Sequence, residues 1–278
     1  MPLISVIVPT CHRNDLLAKC LDRLAPGTQS LESDLYEVIV TDDGTRSTAE
    51  RMIIEEYAWA KWTQGPRRGP AANRNHGASQ VRGKWIAFTD DDCLPDPNWL
   101  EAYITAITPG TEVYEGKTVC REGLPSPLFA APTNESGGHL WSCNMMISRD
   151  LFHQLNGFDE TFPFAAMEDV DFRDRIQAAG HTFPFVEAAL VDHPPRPVPS
   201  GKRRGEMTAS EYLYFARLGQ PYQLWPTIKF RAYIRLREIA RQRKGLDSIR
   251  AVPHLLSELL TIWRLFPTWK DKWSNPVR

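Results

Sequence analysis

Residues 84–92 read KWIAFTDDD, an apolar run that ends in three consecutive aspartates. Two earlier runs have the same form: LISVIVPT at residues 3–10 and YEVIVTDDG at residues 36–44. Such runs are typical of buried β-strands. Segments with helical spacing lie between them, over residues 15–24, 49–59 and 71–81. This alternation predicts an α/β fold with a doubly wound, mostly parallel central sheet flanked by helices.

The three predicted strands end in polar residues, namely Pro9-Thr10, Asp42-Asp43 and Asp90-Asp91-Asp92. In open α/β sheets ligands bind beyond the carboxyl ends of the strands, so we expect these residues to share one edge. Three adjacent carboxylates repel one another unless a cation or hydrogen-bond donors compensate them. Mn²⁺ and Mg²⁺ take oxygen ligands and keep positions open for phosphate oxygens. The triplet therefore predicts a metal that bridges carboxylate and diphosphate, and a solvated acidic turn is the alternative.

Three further segments carry candidate functional side chains. Glu168 and Asp169 open a predicted helix, where carboxylates either complement the helix dipole or supply a general base. Arg74 lies between the second and third acidic strand ends, and its guanidinium would fit phosphate oxygens or be a surface charge. His193 follows a predicted strand at residues 181–191. Neither a P-loop motif nor a G-x-G-x-x-G motif is present, which disfavours P-loop NTPases and dinucleotide-dependent dehydrogenases.

Charge divides the chain into two parts. Residues 1–195 carry 16 basic and 28 acidic side chains, whereas residues 196–278 carry 17 basic and 6 acidic ones. We therefore predict a catalytic domain over 1–195 and a basic C-terminal extension over 196–278. In this extension a linker or active-site flap at 194–204 is expected to precede helices over about 207–218, 227–244 and 253–266.

The extension has two open interpretations. Its helices either pack on the catalytic domain or bind an anionic membrane surface. The second reading rests on aromatic and basic residues near the C-terminus, namely Trp263, Trp269, Trp273, Arg264, Lys270 and Lys272. The five cysteines show no C-x-x-C pair, and no signal-peptide pattern precedes the first strand. We expect a cytoplasmic protein, with peripheral attachment to the inner face of the cell membrane as one alternative.

Six segments occur in an order that is specific to one family. They are SVIVPT at 5–10, VIVTDDG at 38–44, GPAANRNHG at 69–77, WIAFTDDD at 85–92, NGFDE at 156–160 and EDVDFRDR at 168–175. Together they resemble the family 2 glycosyltransferases of the GT-A fold. The resemblance covers about residues 2–193 and does not extend over the basic C-terminal part.

The resemblance implies an inverting, metal-dependent transfer of a sugar from a nucleotide-diphosphate donor to an acceptor hydroxyl, in bacterial cell-surface glycan synthesis. A UDP-sugar is the expected donor, and deoxythymidine and guanosine donors stay open. The acceptor would be a glycan or a lipid-linked glycan, and the cofactor Mn²⁺ or Mg²⁺.

The same resemblance implies roles for individual residues. Nucleotide-binding residues would be Pro9, Thr10, Asp42, Asp43, Arg74, Asp90 and Asp91. Asp92 would bind the metal with His193 nearby. Asp169 would be the general base with Glu168 beside it, and Trp141 and Asn144 would face the acceptor.

Other functions remain as alternatives at this stage. The absence of a Q-x-x-R-W motif disfavours a processive synthase. A non-catalytic nucleotide-sugar-binding or scaffold protein of the same fold is the chief rival, although the intact acidic motifs argue against it. A sugar-phosphate nucleotidyltransferase is disfavoured by the residues after the first strand. No nucleic-acid-binding module accompanies the basic C-terminal part, so nucleic acid is not an expected partner.

Overall fold

The computed structural model describes residues 1–46, 48–220, 222–241 and 245–274. The chain divides into two compact units. Unit 1 consists of Met1–Arg121, Pro132–Glu160 and Glu168–Pro194, and unit 2 consists of Glu122–Ala131, Thr161–Met167 and Pro195–Arg278.

Unit 1 alternates strands and helices along most of its length. Its strands are β1 (Ile4–Thr10), β2 (Tyr36–Asp42), β3 (Lys61–Gln64), β4 (Trp85–Thr89), β5 (Leu94–Pro95), β6 (Val113–Val119), β8 (Asn144–Ser148) and β9 (Phe185–Asp192). Its helices are α1 (Asn14–Leu24), α2 (Glu50–Glu56), α3 (Pro70–Ala78), α4 (Trp99–Ala106), α5 (Arg149–Gln154) and α6 (Glu168–Ala178). In unit 2, β7 (Phe129–Ala130) pairs with β10 (Arg196–Pro197), and α7 (Gly201–Arg217), α8 (Leu224–Arg241) and α9 (Gly245–Lys272) follow.

Among the described residues the strands of unit 1 form one eight-stranded sheet in the order β3-β2-β1-β4-β8-β6-β9-β5. The first four strands of this order are mutually parallel, whereas β8 is antiparallel to both β4 and β6. In the β1–β2 register Thr10 lies opposite Asp42. The polar ends of the predicted strands therefore meet at one edge of the sheet, as the sequence predicted.

Helices cover both faces of this sheet. Alternate residues of a strand point to opposite faces, so Val6 and Val8 pack on one side and Ile7 on the other. The first side is filled by residues of α1 and α4, including Leu17 and Trp99. The second side holds the aromatic cluster Phe88, Phe152, Phe158 and Phe172. The prediction of a doubly wound, mostly parallel sheet flanked by helices is confirmed.

Some boundaries differ from the sequence predictions. The helix predicted over 49–59 ends at Glu56, because Tyr57 leaves the helical conformation. The predicted strand at 181–191 begins only at Phe185. Strands β3, β6 and β8 and helix α4 were not predicted. Their short lengths and mixed composition gave too weak a periodicity.

Unit 2 is built on three helices. α7 and α9 approach closely, since a Cβ atom at Gly201 or Gly205 would collide with α9 at His254 or Thr261. Beside this contact Glu258 of α9 is 1% exposed and forms ion pairs with Arg204 of α7 and Arg235 of α8. Burial raises the pKa of Glu258, although Arg235 and Arg231 favour its charged form. One carboxylate therefore joins all three helices.

The structure corrects the predicted course of the C-terminal part. The segment expected as a linker over 194–204 is partly helical: α7 begins at Gly201 because Ser200 caps it by accepting a hydrogen bond from the Arg203 amide. α9 starts well before the predicted residue 253 and contains Pro253 inside the helix. Residues 242–244, the end of the helix predicted over 227–244, lie outside the described residues. Within the described part of the chain, every helix is too short or too polar to cross a bilayer.

Replacing Glu258 by alanine should lower the free energy of unfolding by about 3 kcal/mol, because Arg204 and Arg235 would lose the buried carboxylate that compensates them. Urea titration followed by circular dichroism measures the loss. Glu238→Ala is the matched control, since Glu238 also pairs with Arg235 but is 43% exposed. Its loss should stay below about 1 kcal/mol. Equal losses in the two variants would contradict the role of Glu258.

Candidate active site

The aspartate triplet follows β4, which lies between the parallel strand β1 and the antiparallel strand β8. Asp91 is fully buried, and its Oδ2 accepts a hydrogen bond of 2.7 Å from the hydroxyl of Thr10, the last residue of β1. Burial raises the pKa of Asp91 to about 7, although Arg13 and the Thr10 hydroxyl favour its charged form. Thr10 and the triplet therefore share one site, although 81 residues separate Thr10 from Asp91 in sequence.

Arg13, in the loop after β1, contacts two members of the triplet. Its Nη2 lies 2.5 Å from Asp91 Oδ1, and its Nη1 lies 3.0 Å from Asp92 Oδ2. The Arg13 side chain is 40% exposed, so this cation lies at the mouth of the site. Burial on its own would lower the pKa of Arg13, but Asp91 and Asp92 outweigh it and raise that pKa. Arg13 thus supplies part of the compensation that adjacent carboxylates require.

Arg74 of α3 connects the triplet to the start of α6. Its Nη2 lies 2.6 Å from Asp90 Oδ1 and its Nη1 lies 3.4 Å from Glu168 Oε1. The guanidinium is buried and lies 5.8 Å from the centre of the Phe158 ring. Burial on its own would lower the pKa of Arg74, but the Asp90 and Glu168 carboxylates outweigh it and raise the pKa. Three segments that are distant in sequence therefore meet around one cation.

Glu168 and Asp169 occupy the first turn of α6. Burial and the negative charge of Asp169 raise the pKa of Glu168 to about 7, although Arg74 favours its charged form. Burial also raises the pKa of Asp169, again against the attraction of Arg74. Two interacting carboxylates titrate as a pair, so protons leave them in two steps. A carboxylate with a raised pKa is a stronger proton acceptor than an ordinary one.

Asp92, Cys93 and His193 form a cluster that could hold a metal ion. His193 is fully buried, and its Nδ1 lies 3.0 Å from the carbonyl oxygen of Pro194. Since a carbonyl only accepts hydrogen bonds, Nδ1 carries the proton and Nε2 presents a lone pair. That Nε2 has no hydrogen-bond partner among the described residues and lies 3.5 Å from Asp92 Oδ1. Two acceptors that face each other fit a cation.

The third member of this cluster is the weakest candidate ligand. Burial raises the pKa of Cys93 well above its ordinary value, and a hydrogen bond with Cys143 raises it further. Because the thiolate is the form that binds metals, a thiol held protonated is a poor ligand. Asp92 and His193 are therefore the pair that best fits a divalent cation. The sequence suggested the same two positions for the metal, and their role as ligands stays a prediction.

Asp42 and Asp43 both accept hydrogen bonds from backbone amides around the predicted nucleotide pocket. Asp42 accepts hydrogen bonds from the amides of Gly44 and Ala49. Asp43 accepts from the amides of Arg67 and Gly69, in the loop that leads into α3. Pro9 is buried in β1 beside Thr41. These carboxylates therefore order the loops beside Thr10, whether or not a base also contacts them.

Of the two residues predicted to face the acceptor, Asn144 lies inside the protein. It is 1% exposed, accepts hydrogen bonds from Trp99 and Tyr103, and donates to the carbonyls of Lys117 and Ala189. These four hydrogen bonds give the Asn144 side-chain amide a structural role. Trp141 is only partly buried and stacks on His139, with ring centres 5.0 Å apart.

Glu115 is an important residue that sequence reasoning missed. It is 2% exposed and accepts hydrogen bonds from Asn134 Nδ2 and the amides of Gly138, His139 and Leu140. It thereby fixes the loop that carries His139 and Trp141. Arg13 was also missed, although a basic residue just after the first strand was a usable signal.

Comparisons with known proteins agree with this geometry. Residues 5–129 match the model for glycosyl transferase family 2, and residues 133–194 match the model described as the N-terminal domain of galactosyltransferase. Glycosyltransferase AglE of Haloferax volcanii is 27% identical over 210 residues, 71% of this chain and 68% of AglE. Validoxylamine A glucosyltransferase of Streptomyces hygroscopicus subsp. jinggangensis is 26% identical over 223 residues, 65% of this chain. The chain spans about half of that enzyme, 52%.

Solved structures show the same fold. S. aureus TarS 1–349 in complex with UDP-GlcNAc has a TM-score of 0.57 at 21% identity, covering 77% of this chain and 67% of that one. Mannosyltransferase PcManGT from Pyrobaculum calidifontis, in complex with GDP-Man and Mn²⁺, has a TM-score of 0.57 at 20% identity, covering 98% and 80%. The fold is thus of the GT-A type, with C-terminal helices. The match of residues 5–129 to the family 2 model, together with these relatives, places the chain in the family 2 glycosyltransferases.

Proposed function

We propose that the chain is an inverting glycosyltransferase that moves a sugar from a nucleoside-diphosphate donor to an acceptor hydroxyl. One observation carries this proposal: Arg74 contacts both Asp90 and Glu168. Arg74 holds the aspartate triplet, which is suited to a metal and a diphosphate, beside the Glu168–Asp169 pair, which is suited to removing a proton. A binding protein would need the first group and not the second.

In this mechanism Asp169 accepts the proton of the acceptor hydroxyl. The acceptor oxygen forms a bond to the anomeric carbon while the bond from that carbon to the diphosphate oxygen breaks. Because the attack comes from the face opposite the leaving group, the anomeric configuration inverts. The raised pKa of Asp169 suits it to this task, since proton transfer is most effective when the base has a pKa near the working pH.

Asp92 and His193 would hold the divalent cation, Mn²⁺ or Mg²⁺. When bound, such a cation neutralises the negative charge that develops on the departing diphosphate. Asp91 accepts hydrogen bonds from Thr10 and Arg13, so its role is to orient these two side chains. The support for Mn²⁺ is the paired acceptors of Asp92 and His193, together with the Mn²⁺ in the PcManGT structure.

The donor that we propose is a UDP-sugar, and the acceptor a glycan or a lipid-linked glycan of the cell surface. The TarS structure contains UDP-GlcNAc, which supports uridine, whereas the PcManGT structure contains GDP-Man. Melting temperatures with UDP-, dTDP- and GDP-sugars would separate these donors, because a ligand that binds only the folded state raises the melting temperature. A rise with a GDP-sugar alone would exclude the uridine assignment.

Asp169→Asn should lower turnover about a thousandfold, because an amide cannot accept the acceptor proton. Transfer from a radiolabelled donor measures this loss, and the melting temperature reports whether the variant folds. Asp150→Asn makes the same change on an exposed carboxylate of α5 and should leave turnover unchanged. Near-normal turnover by a folded Asp169→Asn variant would exclude Asp169 as the base.

Turnover should fall on the acidic side at a higher pH than for an ordinary aspartate, because burial raises the pKa of Asp169 and the base becomes protonated there. Glu168→Gln should move this acidic limb to lower pH, since it removes a negative charge that disfavours ionisation of Asp169. The measurement is the pH profile of turnover in both forms. A limb that stays in place, or moves to higher pH, would rule out the coupling of the pair.

Arg13→Gln should increase the rise in melting temperature that Mn²⁺ produces. The guanidinium contacts Asp92 directly, so its removal takes a competing positive charge away from the metal site. Without metal the same variant should melt at a lower temperature than the wild type, because Asp91 and Asp92 lose compensation. Arg23→Gln, an exposed change on α1, is the control. An unaltered response to Mn²⁺ would show that Arg13 does not act on the metal site.

A further inference from the structure

Helix α9 of unit 2 presents a row of exposed apolar side chains along one face. The row, here called the apolar stripe, consists of Ile249, Val252, Leu256, Leu260 and Trp263, each between 41% and 69% exposed. These residues are three or four positions apart, so they lie on one side of the helix over about 21 Å. None of the described residues covers this stripe.

The opposite face of α9 is packed, which fixes the orientation of the stripe. Leu255, Ile262 and Trp269 are buried, and the last two join Tyr212 of α7 in the core of unit 2. The stripe is therefore not an incomplete core. Leu255 and Leu256 are adjacent in sequence, yet the first lies on the packed face and the second on the exposed face.

Helix α8 adds aromatic residues to the exposed surface of unit 2. Trp225, Phe230, Tyr233 and Leu236 are between 53% and 62% exposed. Tryptophan and tyrosine are enriched where protein meets the boundary between lipid and water, because their rings combine an apolar body with a polar group.

The same two helices also carry exposed positive charge. The cationic set, as we call it, consists of exposed residues of α8 and α9: Lys229, Arg237, Arg241, Arg264, Lys270 and Lys272. Among the described residues none of the six forms an ion pair, whereas Arg231, Arg235 and Arg250 do. The exposed surface is thus apolar and cationic at once.

We propose that α8 and α9 form a docking surface for an anionic lipid bilayer. An anionic bilayer surface provides negative headgroups for the cationic set and an apolar layer for the stripe and the aromatic residues. A second copy of the chain fits less well, since a symmetric contact would bring two copies of the cationic set into one interface, where like charges repel. The helices lie on the bilayer and do not cross it.

Every residue of this surface belongs to unit 2, whereas the site residues belong to unit 1. The surface would bring the enzyme to lipid-linked acceptors without taking part in the chemistry. Binding to vesicles requires neither donor nor acceptor. A failure to bind vesicles would not contradict the proposed transferase activity, and a lack of transferase activity would not contradict vesicle binding.

The test is co-sedimentation of the full chain with phosphatidylcholine vesicles, with and without phosphatidylglycerol. The protein should pellet with the anionic vesicles, and added salt should weaken the binding. Exchanging Lys229, Arg237 and Arg241 for glutamine should weaken it about a hundredfold, at roughly fivefold per charge. The matched control exchanges the exposed basic residues Lys19, Arg23 and Lys61 of unit 1 and should bind like the wild type.

The apolar contribution is tested by Leu256→Gln, Leu260→Gln and Trp263→Gln together, which should weaken binding at least about tenfold. Ile54→Gln, an equally exposed apolar change on α2, is the control. All these side chains are exposed, so unchanged melting temperatures are expected, and the single variant Leu256→Gln replaces the triple one if it misfolds.

Three results would overturn the proposal. The first is no preference for anionic vesicles, and the second is binding that neither triple variant weakens. The third is a dimer by light scattering that the stripe variant converts to a monomer without any effect on vesicles.

Discussion

The active site depends on a buried cation that holds three segments together. Arg74 contacts Asp90 after β4 and Glu168 at the start of α6, while Phe158 packs beside its guanidinium. Without a cation there, Asp90, Glu168 and Asp169 would be like charges in a poorly solvated space, and mutual repulsion would force protonation or separation. The raised pKa values of Glu168 and Asp169 show how strongly burial already acts on the pair. The same interaction therefore orders the site and tunes its candidate base.

Much of this arrangement could be predicted from sequence, because it follows from topology. Three apolar runs end in polar residues, and the parallel register places Thr10 opposite Asp42. The pairing of Thr10 with Asp91 then follows from the position of β1 between β2 and β4. The meeting of His193 and Asp92 needed the recognised motif order, because β8 and β6, which were not predicted, separate β9 from β4 in the sheet. No local sequence pattern predicts this contact between His193 and Asp92.

Other features were beyond sequence reasoning for physical reasons. The sequence does not distinguish an asparagine that faces a ligand from one that forms four hydrogen bonds inside the protein, as Asn144 does. Glu115 lies in a segment that was not predicted as a strand, and only the folded loop shows the amides from which it accepts hydrogen bonds. The helical spacing of α9 revealed apolar residues but not which face is packed, since that depends on the approach of α7 through Gly201 and Gly205. Burial and partner choice are tertiary properties.

Anomalous scattering at the manganese edge, in crystals soaked with Mn²⁺ and UDP, would locate the metal most directly. One strong peak is expected within bonding distance of Asp92 and His193, with the diphosphate on its open side and the Asp169 carboxylate facing the same cavity. A peak elsewhere in the chain, or a diphosphate bound away from the triplet, would contradict the central claim that these segments form one catalytic cleft.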